Sequence, residues 1–193
     1  MKKIAIIAAA ISFLAACTGS ETPNPIKDGI RAKIIQTVGN DAKVTVKTFE
    51  IVDSTTFAEE LSHRKDVIKL RYEQNRKLHD QYLQEGRVKT AGKKFDEYHA
   101  DQQRLEGLEK IGDEIAGRIN DIAYYDVKFS AEAKTSSRTS TFTDYYATVT
   151  PEGIVYNIQS SPNGLHKPMG HVIPGYDLLF PEQSAEDTGS GSE

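Results

Sequence analysis

The stretch Ala123-Tyr124-Tyr125-Asp126-Val127-Lys128-Phe129-Ser130-Ala131-Glu132-Ala133 decides the fold. Ala123, Tyr125, Val127, Phe129, Ala131 and Ala133 alternate with Tyr124, Asp126, Lys128, Ser130 and Glu132. A period of two sends one set to a core and the other toward water, the pattern of a half-buried strand in an antiparallel sheet. C-terminal to it, Lys134 to Thr141 is polar and reads as a turn or loop. Phe142 to Val149 and Ile154 to Ile158 are two further strands, joined through Thr150, Pro151, Glu152 and Gly153. In that connection proline sets one φ and glycine permits a positive one. Three such strands make a meander.

On the N-terminal side the period is helical. Phe57, Leu61, Ile68, Tyr72, Leu78 and Tyr82 draw a stripe down one helix, with Ser54, Thr55 or Thr56 as its cap and Glu59 or Glu60 in its first turn. Phe95, Tyr98, Leu105, Leu108, Ile115 and Ile119 draw a second, over about Ala91 to Ile119. The short break at Gly86 makes the two an antiparallel αα-hairpin. Gly107, Gly112 and Gly117 fall on different faces of the second helix and form no packing motif. Further upstream, Ile26, Ile30, Ile34, Ile35 and Val38 form an N-terminal helix that Gly39 and Asn40 stop. Val44, Val46, Phe49 and Ile51 follow as a strand whose alternation slips once between Val46 and Phe49, which predicts a bulge.

These elements predict an α+β, two-layer fold: an antiparallel sheet of about four strands against a long αα-hairpin and an N-terminal helix. The expected organisation is a signal peptide at 1–16, a tether at 17–25, a single domain at 26–181 and a disordered acidic tail at 182–193. The prolines at 162, 168, 174 and 181 break the last part of that domain into irregular cover over the sheet. The architecture bears a loose likeness to cystatin-like and nuclear-transport-factor-like α+β domains, from which function is not inherited.

The N-terminus carries the most specific motif. Lys2 and Lys3 precede Ile4 to Ala16, apolar but for Ser12, which is the layout of a secretory signal. Thirteen helical residues rise about 20 Å, short of the roughly 30 Å of a bilayer core. Leu14, Ala15, Ala16 and Cys17 resemble the lipobox of bacterial lipoproteins. That resemblance implies cleavage before Cys17, attachment of diacylglycerol to its thiol and acylation of the new amino group, an anchor of two or three chains that does not exchange. It further implies an envelope location, with Thr18 after the cysteine favouring the outer membrane and leaving its two sides open. Cys17 is also the one cysteine of the chain, so no intramolecular disulfide competes for it.

Without residues 1–16 the chain has 177 residues, with 22 Lys and Arg against 28 Asp and Glu, a formal −6. Such a net charge predicts no nucleic-acid partner and no general attraction to anionic headgroups. The expected partners are membrane lipid through Cys17 and an envelope protein or glycan. Tryptophan is absent, so a contact surface falls to tyrosine, with Tyr124, Tyr145 and Tyr156 its candidates.

Chemistry finds little support. His63, His79 and His99 are spaced 16 and 20 apart and read as surface residues, and neither G-x-S-x-G nor a glycine-rich phosphate loop occurs. His166, His171 and Asp177 in the Pro/Gly-rich C-terminal part are the one candidate metal set, and no cofactor is expected. His171 to Tyr176 is similar over six residues to the Val-Ile-x-Gly-Trp stretch of FKBP-type prolyl isomerases, departing at the aromatic. A match this short carries no isomerase activity. The expectation is a binding or structural module, with an envelope hydrolase using carboxylates or histidine as the alternative.

Overall fold

The computed structural model describes residues 23–165, 167–168 and 170–180. The signal peptide, Cys17, His166 and the acidic tail therefore lie outside the described residues. Helix α1 (Pro25–Val38) leads into strand β1 (Lys43–Thr56), helices α2 (Phe57–Gln84) and α3 (Val88–Glu114), then β2 (Ile122–Lys134), β3 (Thr139–Val149), β4 (Val155–Gln159) and a short α4 (Tyr176–Leu179). The sheet is antiparallel throughout, in the order β1-β2-β3-β4. Strands β1 and β2 are thus sheet neighbours whose connection is the whole αα-hairpin. No helix among the described residues is long and apolar enough to cross a membrane.

Local chemistry explains the element ends. Asn24 accepts from the Lys27 backbone N–H at the head of α1, with Pro25 in the first turn where its missing N–H costs nothing. Thr56 caps α2 in a complete capping box: its Oγ1 takes the Glu59 N–H, and the Glu59 carboxylate takes the Thr56 N–H at 2.8 Å. Helix α3 ends at Glu114, ahead of the predicted Ile119, and residues 116–118 form a 3₁₀ turn around Gly117. Glycine there exposes backbone and supports helix poorly. Strand β1 slips register between Val46 and Thr48, as its broken alternation requires, and again between Ile51 and Asp53.

Two cores result. Under α1, Ile30 and Ile34 pack on Val127, Phe129, Ala131, Ala133, Ala147 and Val149, with Tyr125 and Tyr145 at the margin. This is the odd-numbered face of β2. Close contact is possible because Gly29 lies against the turn at Gly153, where an added Cβ would sit 1.8 Å from the Gly153 carbonyl oxygen. Gly153 itself has φ +91°, as the turn chemistry predicts.

The second core is at the base of the hairpin. Phe57, Leu61 and Ile68 of α2 meet Leu108 and Ile111 of α3, Ala123 and Tyr124 of β2, and Ile173, Tyr176 and Phe180. The C-terminal segment is a wedge on the hairpin base and the start of β2, not a general cover over the sheet. Gly107 admits it: a Cβ there would lie 2.6 Å from Leu179. The lower half of the even face stays polar, with Lys128 paired to Asp144 and Glu132 held between Lys47 and Lys134. Those two ammonium groups hold the Glu132 carboxyl down at about 2.

Candidate functional site

The three tyrosine candidates separate. Tyr124, on the even face of β2, is buried in the hairpin-base core and its hydroxyl donates to Glu60 at 3.3 Å. Burial, with the nearby Glu60 charge, pushes its phenol up to about 12. It presents no surface. Tyr145 and Tyr156 instead line one cleft between α1 and the β3–β4 pair, together with Lys33, Ile34, Phe142 and Ile158. Its volume of about 330 Å³ is at the small end of ligand sites.

The walls of this cleft are mostly apolar, and Lys33, Thr37 and Asn157 supply its polar groups. Phe142 stands edge-on to Tyr145 at 5.1 Å, and Phe129 lies behind at 6.4 Å. The Tyr145 ring is thus fixed by neighbours on the sheet side. Burial also raises the Tyr156 phenol above its ordinary range. Alternation along β3 points Tyr145 to the α1 face, but the contributions of Lys33, Ile34 and Thr37 follow from how α1 crosses the sheet, a distance that local sequence does not encode.

Of the candidate metal set, the structure brings two members together. His171 Nδ1 and Asp177 Oδ1 are 2.5 Å apart, and the His171 ring stands edge-on to Tyr176 at 6.0 Å. Asp177 is half exposed, while His166 falls outside the described residues. Among the described residues no group of three or more His, Cys, Asp or Glu stands where it could share a metal ion. The pair ties the short α4 to the turn before it. Tyr176, the aromatic of the six-residue isomerase likeness, stacks on Phe180 at 4.5 Å within the core.

The more highly charged interior lies in the hairpin, where the sequence reading placed only solvated faces. Glu60 and Arg64 are both buried and pair at 3.1 Å. Two turns further, Asp101, 1% exposed, takes both arms of the Arg71 guanidinium at 2.8 and 2.5 Å and that of Arg104 at 3.0 Å. The bond to Asp101 raises Arg71 further above its ordinary value. Arg104 also lies 5.2 Å over the Phe180 ring. These pairs join α2 to α3 and both to the C-terminal wedge. Glu60 and Arg64 have the spacing of an ordinary surface pair, so the sequence carries no signal of their burial.

No family model, no curated protein and no solved structure matches this chain. The Glu60–Arg64 pair is closed by Tyr124 and packed round with apolar side chains, the Asp101 cluster borders an open depression with Asn75 and Glu97, and the α1–β3–β4 cleft opens at the surface.

Proposed function

We propose that the chain is a lipid-anchored binding module of the bacterial envelope, attached through Cys17 to the outer membrane. The α1–β3–β4 cleft is then the point at which it grips a partner. The observation that carries this reading is the convergence of Tyr145 and Tyr156 with Ile34, Phe142 and Ile158 in one open, mostly apolar cleft. Its partner is a protein offering an aliphatic or aromatic side chain. A sugar needs a bare ring face to stack on, and the Tyr145 ring is packed by Phe142 and Phe129. A side chain needs only a pocket of this size with polar groups at its rim.

A photoreactive residue in place of Thr37, at the cleft wall on α1, tests the reading in intact envelopes. One discrete crosslinked protein is expected, and it should be lost when Ile158→Asp is added. Mass spectrometry of the native protein should show loss of residues 1–16 and a gain of several acyl chains on Cys17. A chain that begins elsewhere and carries no lipid ends the anchoring claim. Turnover of an envelope substrate that His171→Ala abolishes would favour the hydrolase alternative instead.

A further inference from the structure

The far end of the αα-hairpin has a chemistry that the net charge conceals. Beyond Arg71 and Asp101 the only buried side chains of the two helices are Asn75 and Ala91. The Asn75 side chain accepts from Lys94 at 3.1 Å and forms the last rung. Beyond or at that rung stand Arg76, Lys77, Arg87, Lys89, Lys93 and Lys94, against Asp80 and Glu85, a formal +4 on a chain whose total is −4. Lys94 is also engaged by Glu97, and Arg87 by Glu85. Arg76, Lys77, Lys89 and Lys93 carry no ion pair with any described residue. Between these cations Leu83 and Val88 are 47% and 69% exposed.

We infer that this tip docks on an anionic phospholipid surface. Cations on long flexible stems with aliphatic side chains between them suit the boundary between headgroups and acyl chains, where each kind of group is satisfied at its own depth. The shape agrees. Two helix ends joined by a short turn project these groups outward, with Arg76 and Lys77 at the rim of an open depression that they share with Glu73, Asp80 and Gln81. A nucleic acid fits less well, because base stacking needs open aromatic faces. Arg87 covers the Tyr82 ring at 4.3 Å, and Phe95 is stacked against His99 at 5.6 Å. The inference is independent of the cleft and of Cys17.

The chain contains no tryptophan, so Val88→Trp in the otherwise unaltered chain gives a single tryptophan at the tip, excited to the red of the nine tyrosines. With vesicles of phosphatidylglycerol and phosphatidylcholine, its emission should move to the blue and become quenchable by brominated acyl chains. With phosphatidylcholine alone it should not. Adding Arg87→Glu and Lys89→Glu, with the helical circular dichroism unchanged, should raise the half-saturating lipid concentration at least about tenfold. Because the probe reports the tip alone, membrane binding through residues 1–17 does not imitate the result. Emission that stays unshifted while the chain sediments with anionic vesicles overturns the inference. So does a shift of equal size with neutral vesicles, with inorganic phosphate alone, or with an oligonucleotide or polyglutamate in place of vesicles.

Discussion

At the scale of single residues, two glycines and one ion pair account for much of how this chain closes. Gly29 and Gly153 let backbone meet backbone where α1 crosses the β3–β4 turn. A methyl group on Gly29 meets a carbonyl that no rotamer change can move, so Gly29→Ala should cost about 1–3 kcal/mol. Thermal unfolding followed by circular dichroism should show a fall of roughly 5 °C or more, and an unchanged midpoint would mean that α1 sits elsewhere. Glu60 and Arg64 test the other core. Arg64→Ala leaves a carboxylate buried without its cation, at an expected cost of about 3–5 kcal/mol, whereas Glu60→Gln combined with Arg64→Met should fall within about 1 kcal/mol of the parent. Urea titration of the three proteins distinguishes an ion pair that stabilises from one that is merely expensive to break.

At the scale of elements, the hairpin divides along its length. Its base is fixed by Phe57, Leu61, Leu108 and Ile111 together with the C-terminal wedge, and its middle by Asp101 between two arginines. Past Asn75 little but helix propensity, the buried Ala91 and edge-on rings remain, such as His79 on Tyr98 at 5.6 Å. Amides of residues 78–92 should therefore exchange with deuterium well before those of 61–68 and 105–111, by local opening that leaves the base intact. Uniform protection along both helices would show that the far half has partners of its own. This division also marks what could be read in advance. The strand at Ala123–Ala133, the slip in β1, the Thr56 cap and the Gly153 turn are consequences of neighbours a few residues apart, and period and turn chemistry reveal them. The side of the sheet that α1 occupies, and the landing of Tyr176 and Phe180 on the hairpin base, depend on contacts between distant segments. The candidate tyrosines divide on the same line. Alternation tells which face of a strand Tyr124 and Tyr145 take, but not that one face is closed by Glu60 and the other opens into a cleft.

At the scale of the whole molecule, arm, sheet and C-terminal segment meet, among the described residues, in the hairpin-base core, and Tyr124 and Tyr176 stand in it. Burial raises both phenols, Tyr124 to about 12 from an ordinary 10.0. The folded chain therefore holds this proton more tightly than the unfolded one. The stability so contributed is complete below pH 10 and is lost as the pH climbs from 10 toward 12. Stability to urea should fall with pH across that window, in step with tyrosinate absorbance, and Tyr124→Phe should flatten the fall. An identical slope in the variant would place the alkaline sensitivity elsewhere. The exit and return of the arm have a different consequence. The Phe57 N–H donates to the Asp121 carbonyl and the Ala58 N–H to that of Ile119, so the chain leaves the sheet and re-enters it at a single gate. Whatever lies beyond that gate is a cassette of adjustable reach. Two helical turns added to each of α2 and α3 would lengthen it by about 11 Å and shift no residue of the sheet, which makes the arm a ruler whose graduation can be reset by insertion or deletion alone.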